Sequence, residues 1–147
     1  MSTGHGAKVA TRAAAGLCLA LVCAGCSNAA DTAPSSSGAP VTEIIIGTLE
    51  IGGLNAYPFN VALSGTVSAT LASVTAGTPR IPVAVPLILG LGTVDGINCA
   101  ISASSTVRAA LTAQVSTSMT TGARCVQVSD PGTLTGPVDF AVRVVHP

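Results

Sequence analysis

Beyond residue 40 the chain alternates between apolar and polar positions with a period of two, the spacing of a strand with one buried face. Val138, Phe140, Val142 and Val144 alternate with Asp139 and Arg143. Tyr57, Phe59 and Val61 share one parity, and Val67, Ala69 and Leu71 resume it after the break at Ser64-Gly65. Leu87, Leu89 and Leu91 begin another run, and Val126 with Val128 forms a short one. Ile44–Ile46 and Leu49–Ile51 add one or two strands near the start. The longest run sets Val107, Ala109, Leu111, Ala113 and Val115 against Thr106, Arg108, Thr112, Gln114 and Ser116, and predicts a half-buried strand through it.

Turn chemistry separates these runs. Asp95-Gly96 predicts a two-residue type I′ hairpin, whose central residues need positive φ. Asp130-Pro131-Gly132 and Thr121-Gly122 mark further turns. Pro79, Pro82 and Pro86 lack the N–H that a central strand needs, so the stretch RIPVAVP predicts an edge or a surface excursion. About seven short strands with no helical periodicity between them predict a small antiparallel β-sandwich, jelly-roll-like, over 41–147.

The first forty residues read differently. Lys8 and Arg12 precede AAAGLCLALVCA (13–24), an uncharged apolar run with no polar face, too short to span a bilayer as a helix. Residues 1–25 are therefore expected to be a signal peptide. The run ends Cys23-Ala24-Gly25-Cys26, and small residues before a cysteine resemble the bacterial lipobox. That resemblance implies diacylglycerol on Cys26 and an exported chain anchored to the bacterial membrane, its domain facing the periplasm or the cell exterior. The competing expectation is plain secretion, with cleavage within Ser27-Asn28-Ala29-Ala30. Residues 26–40 then supply the lipidated cysteine and a linker, SNAADTAPSSSGAP, too polar and too rich in small residues to fold alone.

Cleavage before Cys26 removes two of the five cysteines and lipidation uses a third, leaving Cys99 and Cys125. A remaining pair in an oxidising compartment is expected to be a disulfide; two separate thiols are the alternative. The parity of Val126 and Val128 puts Cys125 on the outer face, so the bond would staple strands across a surface. Closing that loop would contribute about 3 kcal/mol on the chain-entropy view.

Cleavage also leaves four arginines, six acids and no lysine, a net charge of −2 with no basic footprint for nucleic acid. Catalytic residues are not expected, nor is any cofactor. His146 is the one histidine of the mature chain and is expected on a fraying end, and no Gly-x-Ser-x-Gly elbow occurs. Asp95 and Asp130 read as turn formers, with a loop calcium site as their alternative use. Glu43 and Glu50 read as solvated charges, and Asp139 with Arg143 as a surface pair. Tyr57 and Phe59 alternate into one core face, and the chain has no Trp, which argues against an aromatic platform for sugars.

The segments SGTVSATLASV, LGLGTVDGINC and GARCVQVSDPGTLTGPVDFAVRVVHP together resemble the bacterial pre-peptidase C-terminal type of domain. Its pattern is a Gly-led strand with a small apolar core, then a late and a final strand of the form aromatic-x-Val-x-Val. Arg124 stands where the first of these aromatics belongs. The resemblance implies a β-sandwich of accessory, targeting or carbohydrate-binding role. Two functions follow as expectations: a non-catalytic envelope module that interacts with another protein or serves a structural role, or an accessory module binding a glycan or wall component. With charged residues at 8% of the chain, few charges guard the sheet edges, which favours the first.

Overall fold

The computed structural model describes residues 38–147, and these form nine strands and no helix. In chain order they are β1 (Val41–Leu49), β2 (Leu54–Val61), β3 (Gly65–Ala76), β4 (Ile81–Pro82), β5 (Leu87–Asp95), β6 (Asn98–Val107), β7 (Val115–Met119), β8 (Gly122–Ser129) and β9 (Val138–His146). One sheet runs β1-β9-β3, with β7 and β4 both pairing the far side of β3 at its two ends. The other runs β2-β8-β5-β6, and every pairing is antiparallel. The two packed sheets make a β-sandwich.

Period two decides what the sheets enclose. On β9, Val138, Phe140, Val142 and Val144 are buried while Asp139, Ala141, Arg143 and Val145 alternate outward. Facing them from the second sheet are Phe59 and Val61 of β2, Leu87, Leu89 and Leu91 of β5, and Val126 and Val128 of β8. Tyr57 meets Phe140 edge to face, with ring centroids 6.1 Å apart. The aromatic side chains therefore fill the interior, as the alternation predicts.

Three local expectations are corrected. The run 106–116 is not one strand: β6 ends at Val107, β7 starts at Val115, and the chain between them passes from one sheet to the other. Leu111, expected in the core, is 89% exposed. A chain crossing sheets about 10 Å apart must leave both ladders, so its backbone is satisfied elsewhere. Ala110 and Gln114 donate to the carbonyls of Leu71 and Ala69 on β3. The Gln114 side chain accepts from the Leu71 N–H at 2.8 Å and donates to the Arg108 carbonyl. Alternation of small and polar residues in a loop thus copied the pattern of a strand.

The hairpin between β5 and β6 is present, but its turn is shifted by one residue. Asp95 pairs with Asn98, so Gly96 and Ile97 make the turn, and Gly96 carries the positive φ of +60°. The strand count also rises from about seven to nine, through the two-residue β4 and the division of 106–116 between β6 and β7. Strand β4 ends in Pro82 within the proline stretch, which lies at an edge as expected.

Candidate functional site

Cys99 and Cys125 are disulfide-bonded, with Cα atoms 5.8 Å apart. They belong to β6 and β8, which flank β5 and are not paired with each other. A glycine makes the approach possible. A Cβ on Gly92 would fall inside the carbonyl of Ala100 and 3.0 Å from the Ile101 Cα. The register of β5 against β6 shifts beside it, between Leu91 and Gly92. The start of β6 therefore lies over Gly92, and Cys99 reaches Cys125, which is the register partner of Gly92 on β8. The disulfide is on the outer face, as parity requires. Cys26 lies outside the described residues.

The titratable side chains have mainly structural partners. Asp130 Oδ1 accepts backbone N–H groups from Gly132, Thr133 and Leu134 at 2.8, 2.8 and 3.2 Å. Its Oδ2 accepts the Gly52 N–H at 2.9 Å, tying the β1–β2 corner to the loop after β8. These donors, Gly52 first, hold the carboxyl below the ordinary aspartate value of 3.8. Asp130 is a turn former, as expected, and also a tie between two loops. Among the described residues no group of three His, Cys, Asp or Glu side chains could hold a metal ion.

His146 is not on a fraying end. It continues the inward parity of β9, is 3% exposed, and lies against the Phe59 ring at 5.5 Å between centroids. Its Nε2 is 3.0 Å from Glu43 Oε1 and its Nδ1 is 3.1 Å from the Pro147 carbonyl. Glu43 is thus a partner of His146 and not simply a solvated charge. Parity alone would have placed His146 inward; its nearness to the chain end argued the other way.

Asp139 does not pair with Arg143. It accepts from the Thr48 hydroxyl at 2.7 Å and from Arg80 Nε at 2.8 Å, and Arg143 Nη2 donates to the Leu111 carbonyl at 2.9 Å. The Thr48 hydroxyl, then Arg80, hold the Asp139 carboxyl below its ordinary value. Nothing in the sequence links Asp139 to Arg80, which sits in the proline-rich excursion.

That trio edges an open cleft of about 380 Å³ on the outer face of the first sheet. The register places Thr48, Asp139 and Thr75 in one row across β1, β9 and β3, and Ile46, Ala141 and Ser73 in the next. The cleft offers the hydroxyls of Ser73 and Thr75, the Arg80–Asp139 ion pair and the apolar wall of Ile46. A second hollow of about 320 Å³, lined by Ala56, Pro58, Val94, Ile97 and Cys125, lies beside the disulfide.

Strand β1 borders the first cleft and, among the described residues, is an edge of its sheet. Its Ile44 and Ile46 are 60% and 74% exposed. Compared with protein-family models and with curated proteins, the sequence gives no match. The residues of β1 and its cleft therefore carry the functional argument.

Proposed function

We propose that this chain is a non-catalytic module, exported and held at the bacterial membrane by lipidated Cys26, whose sandwich domain works in interaction through edge strand β1. The observation that carries the reading is an edge of nine residues, Val41–Leu49, with two exposed isoleucines and no proline or lysine. Natural sheets blunt such edges with charges, proline, bulges or covers. An edge whose one charge, Glu43, is held by His146 is suited to strand addition, in which backbone hydrogen bonds give affinity and side chains give specificity. Residues 27–40 precede this strand directly and suit a tether that holds it clear of lipid headgroups. The resemblance to pre-peptidase C-terminal domains agrees with an accessory role.

The Asp139 cleft favours a second reading, an accessory module that binds a glycan or wall component through hydroxyls and an ion pair. One experiment separates the two. A photo-reactive amino acid is placed at Ile44, at Ser73 in the cleft, or at exposed Leu111, in the full chain in cells. Protein adducts from position 44 that are missing from 111 support the interaction reading. Glycan adducts from position 73 alone support the second, and no protein adduct from 44 overturns the first.

A further inference from the structure

We propose that the partner of β1 is β1 of a second copy of this chain, paired antiparallel about a two-fold axis at Ile45. This deepens the interaction reading and rests on it. The two first sheets then join as β3-β9-β1-β1′-β9′-β3′.

The strand is self-complementary in this register. Ile45 is the midpoint of Val41–Leu49, so centring the axis there pairs every residue of the strand with its counterpart, Val41 facing Leu49′. On the outer face Ile44 meets Ile46′ and Ile46 meets Ile44′, which packs each exposed isoleucine beside one of the other copy. Thr42 meets Thr48′ on the same face, a cross-strand pairing that sheets tolerate well. The one charge on the strand, Glu43, faces Gly47′, and its carboxylate is already held by His146 at 3.0 Å.

Registers centred two residues away on either side are worse. Moving the axis to Glu43 sets two carboxylates opposite each other, which destabilises an antiparallel pair, and brings Pro40, with no N–H, opposite Ile46′. Moving it to Gly47 runs the pairing past Leu49 into the turn at Ile51 and Gly52.

The other edges explain why assembly stops at two. β2 carries Pro58 at mid-strand, at the register position of Cys125. β6 is bulged and drawn over β5 toward the disulfide. The far side of β3 is divided between the five residues of β7 and the two of β4, which ends in Pro82. Among the described residues, an isologous contact that consumes β1 in both copies leaves only these blunted edges, so the assembly closes as a dimer.

The test uses the full chain in its own membrane. Chains carrying Ile44→Cys and Ile46→Cys, with different tags, are produced together and oxidised to a direct disulfide, which forms only between closely opposed cysteines. The expected product is a covalent dimer bearing both tags, much weaker from two differently tagged Ile44→Cys chains, whose cysteines are only diagonal neighbours, and lost on adding Ile46→Lys to the Ile44→Cys chain. Intact Cys99–Cys125 in every variant confirms folding. No mixed dimer, or an equal yield from two differently tagged Ile44→Cys chains, overturns the proposal. A photo-adduct at position 44 that joins only a different protein also overturns it while the interaction reading stands. No protein adduct of any kind overturns both.

Discussion

Gly92 and Ala100 are packed backbone to backbone: a Cβ on the glycine would lie 2.7 Å from the carbonyl carbon of Ala100. This contact lets the outer strand of the second sheet lean across its neighbour, and it is the reason Cys99 can reach Cys125 over an intervening strand.

Gly92→Ala is therefore expected to push β6 away from β5. Overpacking of this kind costs about 1–3 kcal/mol, because the obstructing atoms are backbone and cannot rotate aside. Thermal melting should show the loss, and alkylation with mass spectrometry should find a fraction of Cys99 and Cys125 unpaired. Gly136→Ala is the control, since nothing lies within 4 Å of a Cβ there. It should stay within about 0.5 kcal/mol, as surface changes do. Equal losses from the two would contradict the packing described.

Phe140→Ala and Asp139→Ala test the two faces of β9 at adjacent positions. Phe140 is buried and meets Tyr57 edge to face. Its truncation should cost about 3–5 kcal/mol, a large part of the usual stability of a domain, about 5–15 kcal/mol. Asp139→Ala removes the tie from Thr48 to Arg80 at the surface and should move the melting midpoint much less. A larger loss from Asp139→Ala would mean that the cleft trio, and not the core, organises this strand.

Acid should weaken the fold through Asp130 and Asp139. Both carboxyls are held below 3.8, the first chiefly by the Gly52 N–H and the second chiefly by the Thr48 hydroxyl. A group with a depressed folded pKa contributes stability that is complete above its unfolded value and is lost as pH falls through the folded one. Denaturation midpoints should hold from neutral pH down toward 3.8 and fall below it. The double variant Asp130→Asn, Asp139→Asn should show a shallower fall. An unchanged acid slope in that variant would assign the loss to other groups.

Much of this structure can be read from alternation alone. The parity of β9, of Tyr57 with Phe59 and Val61, and of Leu87 with Leu89 and Leu91 follows from one buried face per strand. The outward position of Cys125 follows from Val126 and Val128. What alternation cannot separate is a strand from a loop that crosses between sheets. Residues 108–114 have the period of a strand, but their backbone partners are Leu71, Ala69 and the Gln114 amide. Partners brought together by topology leave no local trace either. Arg80 meets Asp139 59 residues away, and Glu43 meets His146 across 103. The candidate surface was legible only as a shortage of charge. Its location at β1 depends on strand order, which places Val41–Leu49 at an edge.

Lipidation is tested at one atom. Cys26→Ala should abolish incorporation of a fatty-acid analogue and release the protein from the membrane fraction, because the thiol is the proposed acylation site. Undiminished labelling in the variant would contradict the anchor, and no labelling of the parent chain would favour plain secretion.

The most direct measurement of the central claim is hydrogen–deuterium exchange across Val41–Leu49 in the full chain in membranes. In an antiparallel edge strand alternate N–H groups point away from the sheet, so a bare β1 leaves those amides open to solvent. If β1 is the interaction surface, they exchange slowly in the parent chain and speed up in Ile46→Lys, while β9 is unchanged. Rapid exchange of the same amides in the parent chain, matching that at exposed Leu111, would contradict it.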